Sequence, residues 1–253
     1  MENKKVIWIT GASSGIGKAL AIKFVKEGWI VAASARRKEL LDDLQKEHQD
    51  IYPFPLDVTN IDQCKTVSNS IIKQFSSIEI CVFGTGMHDP KSEKRFNLEK
   101  IREIMEVNYF GTMNCINSIY EHYLEKKSGQ ISIISSVAGY RGLPAAGAYC
   151  ASKSALSSFV ESFYFEMKKN NVRISLICPG FIKTPMTDQN EFPMPMIKSP
   201  EFAAEQIYQG LITKNAFEIH FPKAFTFMMK VLKFLPDKLY FWMVEKMMKQ
   251  INY

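Results

Sequence analysis

The sequence predicts one doubly wound α/β domain built on a parallel sheet of about seven strands, with a helical extension at its C-terminal end. Three observations carry that expectation. Short apolar runs rich in β-branched residues, such as VIWIT at 6–10, WIVAASA at 29–35 and RISLIC at 173–178, alternate with helical stretches. The first run ends in a glycine turn that opens a helix. A chain of 253 residues with 46% hydrophobic content can bury one sizeable core.

Val6 to Thr10 reads as a strand covered on both faces. The spacing of Gly11, Gly15 and Gly17 has a physical use. Gly11 permits a tight turn, Gly15 lets the backbone approach a pyrophosphate, Gly17 lets helix and strand pack closely, and the helix N-terminus offers N–H donors to the anion. Ser13, Ser14 and Ile16 belong to the same loop and are expected to line it. Gly28 closes the helix and Trp29 begins the second strand.

The end of that strand bears on the choice of dinucleotide. A site for NAD usually places a carboxylate there to hold the ribose 2′-hydroxyl. This chain has Ala35 followed by Arg36 and Arg37. A guanidinium can hold a 2′-phosphate through paired hydrogen bonds, so NADP(H) is expected over NAD(H), with Arg36 as the main contact. Either arginine could instead solvate the start of the next helix.

ELLDDLQKEH at 39–48 reads as a helix with Leu40, Leu41 and Leu44 on one side. Pro53 and Pro55 bracket a short edge-like strand ending in Leu56-Asp57-Val58, and Asp57, Thr59 and Asn60 compete to cap the amphipathic helix that follows. IEICVFGTG at 78–86 is the fourth strand, and Asn97 to Lys126 reads as one long helix without a proline.

The stretch from Ser136 to Lys153 carries the chemistry. Tyr149 and Lys153 stand four residues apart, so on a helix they share a face. A phenol titrates near ~10 in isolation, and a nearby ammonium favours its ionised form, bringing it toward proton transfer at neutral pH. Ser136, at the end of the strand from Gly129, could return to the same spot and donate to a substrate oxygen, with Ser135 as its competitor.

After the strand Arg173–Cys178, residues 185–200 form a polar, methionine-bearing loop with four prolines, where a substrate lid is expected, lined by Met186, Phe192, Met194 and Met196. Ser199-Pro200 starts a helix to about Lys214, and Phe217 to Phe221 is the last strand. Residues 223–253 are expected to extend the 1–222 catalytic and dinucleotide-binding unit as two apolar helices broken at Pro236. They could cover the substrate mouth, pack on a dimer partner, or lie on a membrane surface as a peripheral contact.

Charge and cysteines narrow the class. The net charge is +6, and the tail's six lysines less Asp237 and Glu245 supply +4 of it, leaving a near-neutral body without a nucleic-acid footprint. Five cysteines without a C-x-x-C pair favour a reduced, intracellular protein with neither structural disulfide nor metal site. No signal-like segment or long uncharged run is present, so a cytoplasmic location is expected, with membrane association possible through the tail.

TGASSGIG at 10–17 with YxxxK at 149–153 resembles the short-chain dehydrogenase/reductase family, across residues 4 to about 221. The resemblance implies a Rossmann-type fold and reversible hydride transfer between a nicotinamide and a carbonyl/alcohol pair. It assigns Tyr149 as proton donor and Lys153 to the nicotinamide ribose. Ser136, thirteen residues before the tyrosine, becomes the residue that polarises the substrate oxygen, and Asn108 sustains a proton relay through a held water. Asp57 and Val58 are carried over to the adenine, Val107 to the adenosine end, and Gly86 to close approach at the adenine ribose. Pro179, Gly180, Ile182 and Thr184 fall at the nicotinamide.

Two departures stand out. Phe83-Gly84-Thr85-Gly86 replaces the usual Asn-Asn-Ala-Gly, and Ser14 occupies a position that is often basic. The family also implies a homodimer or homotetramer through the two long helices. The expected activity is NADP(H)-dependent reduction of a lipophilic ketone or aldehyde. The alternatives are an NAD-linked alcohol dehydrogenase and a non-catalytic dinucleotide-binding sensor or scaffold.

Overall fold

The structure, a computed structural model, describes residues 4–93 and 95–250. Seven strands are present: β1 Val6–Thr10, β2 Ile30–Ser34, β3 Ile51–Pro53, β4 Ile80–Phe83, β5 Gln130–Ile134, β6 Arg173–Pro179 and β7 Glu218–Phe221. They pair in parallel in the order β3-β2-β1-β4-β5-β6-β7. The order reverses between β1 and β4, where Thr10 stands in register with both Ser34 and Phe83. In an open parallel sheet this switch point leaves a crevice beyond the strand ends.

Helices α1 Gly15–Lys26, α2 Lys38–Glu47 and α8 Pro200–Tyr208 supply one core layer, in which Leu20, Phe24, Leu41 and Ile207 pack on Ile7 and Ile9. On the other face α3 Ile61–Phe75, α6 Gly111–Lys126 and α7 Gly147–Lys169 cover Val6 and Trp8 with residues such as Ile71, Ile119 and Leu156. Alternate residues of β1 thus enter different cores, which is why the strand is apolar throughout. Each such fully buried side chain contributes roughly 1.5–3 kcal/mol. The five cysteines are buried free thiols, with the Cys64 and Cys115 sulfurs 3.9 Å apart between α3 and α6.

Several expectations need correction. Leu40 is 40% exposed, and only Leu41 and Leu44 turn inward from α2. The edge strand lies at Ile51–Pro53, ahead of the Pro53–Pro55 bracket, because Ile51 is the residue that buries and pairs beside Val31. Beyond it Phe54 and Leu56 still donate to Ala33 and Ala35 carbonyls, skipping Pro55, which has no N–H. Asn60, not Asp57 or Thr59, caps α3, accepting from the amides of Asp62 and Gln63, while Asp57 accepts from Thr59.

The long helix begins after its cap Asn97 as α5, Leu98–Met105, and reaches α6 through a π-helical turn at Glu106–Phe110. A short α4, Pro90–Glu93, precedes it. The helix from Pro200 also passes into a π-helical turn, at Gln209–Thr213.

The Phe83-Gly84 departure has a packing account. Phe83 is fully buried and meets Trp8 edge to face at 5.4 Å, while Trp8 Nε1 donates to Ser34 at 2.9 Å. The Thr10 hydroxyl accepts from the amides of Gly84 and Thr85 at 3.1 and 3.4 Å. A Cβ at Gly84 would come within 2.8 Å of the Ile134 side chain. Aromatic and aliphatic packing thus accounts for Phe83 and Gly84 at the end of β4.

The tail forms α9 Lys223–Lys233 and α10 Asp237–Gln250. Phe225 and Met229 pack with Val137, Leu143, Phe181 and Leu232. Arg141, on the loop between Ser136 and Tyr149, donates to the carbonyls of Leu232 and Leu235, pairs with Asp237 at 2.7 Å and lies 3.9 Å from the Tyr240 ring centroid.

Candidate active site

The crevice at the switch point has a volume of about 410 Å³. It is lined by every residue expected at the dinucleotide, from Gly11 in the glycine turn to Thr184 after β6, and also by Ser136. The conformation of the turn explains its composition. Gly11 has φ +75°, and a Cβ there would lie 2.9 Å from the Gly84 carbonyl oxygen. Gly17 packs directly on the Gly11 carbonyl. The first turn of α1, Gly15 to Gly17, lines the crevice and holds no acidic residue, so no carboxylate offsets the positive end of the helix dipole there. The N–H donors of such a helix start fit the phosphates of a dinucleotide.

At the other end of the turn, Arg37 donates from one nitrogen to both Ser13 and Ser14 hydroxyls at 2.9 Å. Arg36 lines the same crevice, and both arginines are exposed. Arg37 is ordered over the loop by these bonds, while Arg36, the expected main contact, lines the crevice with it. The two hydroxyls reach Arg37 because Ser13 and Ser14 sit in the turn that α1 closes, something the linear sequence does not display.

At the catalytic end, Tyr149 and Lys153 occupy the first turns of α7, with the Lys153 ammonium 5.7 Å from the Tyr149 ring centroid. Lys153 is 4% exposed and donates to the Ile134 carbonyl at 2.9 Å. Burial lowers its pKa from 10.5 to about 8. Ser136 lines the crevice at the end of β5, its hydroxyl accepting from the Ala138 amide. Ser135 also reaches the crevice wall, but the residue is buried and its hydroxyl is occupied by the Lys153 carbonyl and the Ser157 hydroxyl.

Asn108 does not line the crevice. It is fully buried in the π-helical turn, where its side chain accepts from the Met87 amide at 2.7 Å and donates to the Met87 carbonyl and Ser152 hydroxyl at 3.0 Å. It thereby clamps the segment after β4. Gly86 in that segment faces the same end: a Cβ there would stand 3.4 Å from Asn108 Oδ1 and 3.6 Å from Lys153 Nζ.

Leu56, Thr85, Ile134 and Thr187 also line the crevice and had no sequence signal of their own. His88 joins the site without a motif of its own. Its imidazole stacks on the Tyr149 ring with centroids 4.6 Å apart, and burial pushes its pKa down. In the sequence His88 is marked only by its place two residues after Gly86.

The 183–197 loop is pinned at its ends by Lys183 donating to the Lys198 carbonyl and Lys198 donating to that of Phe181. Met186 lines the crevice, and Phe192 meets Phe181 at 5.9 Å, which in turn meets Phe225 of α9 at 5.3 Å. Met196 is 54% exposed and turned to solvent, contrary to its expected place in the lining.

The short chain dehydrogenase family model matches residues 5–193. An uncharacterized oxidoreductase of Myxococcus xanthus is 33% identical over 92% of this chain and 93% of its own length. A 3-oxoacyl-[acyl-carrier-protein] reductase, FabG, of Thermotoga maritima is 34% identical over 73% of this chain and 77% of its own. Among solved structures, ElxO with NADP bound superposes with a TM-score of 0.76 at 25% identity, covering 86% of this chain and 97% of that one. With the parallel sheet, the glycine turn and the Tyr149–Lys153 pair at the strand ends, these likenesses place the chain in the short-chain dehydrogenase/reductase family, as an oxidoreductase with a nicotinamide-dinucleotide fold.

Proposed function

We propose that the protein reduces the carbonyl of a lipophilic ketone or aldehyde with NADPH. The observation that carries the cofactor choice is the pair Arg36 and Arg37 lining the crevice beside Ser13 and Ser14, with Ala35 where a carboxylate would repel a 2′-phosphate. Bound NADPH supplies the hydride. Tyr149 donates its phenolic proton to the carbonyl oxygen, which Ser136 holds and polarises through a hydrogen bond. Lys153 holds its ammonium near the phenol and the ribose hydroxyls, favouring the tyrosinate left after proton transfer. Asn108, through Met87, keeps the wall opposite Lys153 in place.

Apolar groups at the substrate end, Leu143, Phe181, Phe192 and Met186, support a lipophilic substrate. A ketone reductase among the relatives supports the reductive direction. Family members typically oligomerise, and Phe110 and Phe165, 49% and 68% exposed at α6 and on α7, suit a homodimer through those helices.

Nicotinamide absorbance followed with NADPH and NADH over carbonyls of graded chain length tests the reading. Turnover should prefer NADPH and rise with chain length, while Tyr149→Phe should lose at least ~10²-fold in kcat with NADPH affinity nearly unchanged. Equal use of NADH would sink the cofactor assignment, and undiminished turnover in the tyrosine variant would sink the catalytic one.

A further inference from the structure

We infer that the outer face of α9 and α10 docks on an anionic lipid bilayer. The inner faces are accounted for: Phe225 and Met229 pack on Val137, and Tyr240 is 3% exposed against the Arg141 loop. The outer faces are apolar and uncovered. Phe227 and Phe234 of the α9 region are 68% and 83% exposed, and Phe241, Trp242 and Met247 of α10 are 59%, 51% and 52% exposed. Phe227 and Phe234 are seven residues apart and share one stripe of α9, while on α10 Leu239, Met243 and Met247 recur every four beside the inner face and Trp242 stands on the outer side among Lys238, Lys246 and Lys249. Apolar surface of this extent marks an interaction site.

Charge decides what covers it. Asp237 is paired with Arg141, and Lys230 with Glu218. Of the remaining charges in residues 223–250, Lys223, Lys233, Lys238, Lys246 and Lys249 face Glu245 alone, a net +4. A second copy on a twofold axis would set +4 against +4, and lysine is depleted from the cores of protein interfaces. Anionic headgroups instead complement the lysines while the phenylalanines and the tryptophan enter the acyl boundary. Lys246 lies 4.1 Å from the Trp242 ring centroid, the pairing of cation and interfacial aromatic that suits a headgroup layer.

The helices are 11 and 14 residues long, and no helix among the described residues is long and apolar enough to cross a membrane, so the contact lies in the interface. Its position has a consequence that rests on the reductase reading. α9 packs on Leu143 and Phe181, so docking brings the substrate end of the crevice beside the lipid, and a carbonyl dissolved in the bilayer enters without crossing water.

The test is co-sedimentation of the full chain with phosphatidylcholine vesicles, with and without phosphatidylglycerol, which reads docking independently of turnover. Binding is expected only to the phosphatidylglycerol vesicles, weakening as salt rises. Lys246→Gln should weaken it about fivefold, and Phe234→Ser with Trp242→Ser at least ~10-fold, at unchanged thermal midpoint. The lysine variant alone decides the matter should the double variant unfold. Equal binding to neutral vesicles, no binding to either, or a dimer in sedimentation velocity that the same substitutions dissociate would overturn the inference.

Discussion

Lys153 shows how one residue can be costly to the fold and needed by the site. Its ammonium is buried, donating to the Ile134 carbonyl, and burial lowers its pKa from 10.5 to about 8. Since the depressed group loses its proton first in the folded state, the unfolded chain holds more protons between about 8 and 10.5. Stability attributable to this residue therefore rises with pH across that window, and below it the penalty applies in full. Lys153→Met should gain on the order of 1–3 kcal/mol at pH 7, after the lost bond to Ile134 is allowed for, and should flatten the rise between pH 8 and 10.5. Denaturant midpoints measured across that range check it, and a variant less stable than the parent at pH 7 would contradict the burial argument. Turnover should be lost in the same variant, as expected where a site retains a strained charge for function.

At the level of elements, the end of β4 accommodates an unusual sequence by repacking. Phe83 meets Trp8 and the Ile134 side chain lies over Gly84, leaving no room for a larger side chain at position 84. Gly84→Asn should destabilise the protein by about 1–3 kcal/mol, the usual effect of forcing volume into a packed core, and thermal unfolding would show it. A neutral substitution would mean that Ile134 moves aside without cost. The segment after Gly84 is held by Asn108 from a π-helical turn, whose widened backbone turns that side chain toward Met87. An asparagine in a helix interior is intelligible once that clamp is seen.

For the whole molecule, the exposed aromatic residues fall on separate helices with different charge surroundings. Phe165 on α7 shares its helix face with Glu161 as well as Lys168 and Lys169, a mixed surround, whereas the tail's aromatics stand among a net excess of lysines. The homodimer reading assigns the α6–α7 face to a second copy. Phe165→Asp should accordingly raise the dimer dissociation constant by at least ~10-fold in sedimentation velocity, leaving vesicle binding by the tail intact. A monomeric parent protein would remove the basis for that expectation.

The sheet, the glycine turn and the Tyr149–Lys153 pair were legible in the sequence, because each depends on short-range spacing: alternation of apolar segments, glycines at a turn, and side chains one helical turn apart. The seven strands and the helices around them follow that pattern, whereas Leu40 and the edge strand depart from it because burial on one side, not spacing, chooses the residue there. Only tertiary structure brought Arg37 over Ser13 and Ser14, His88 onto Tyr149, and Arg141 onto the end of α9. These contacts join residues 23 to 91 positions apart, so no local pattern encodes them. Their partners are chosen by where separate strands and helices end once the hydrophobic cores on both faces of the sheet have formed.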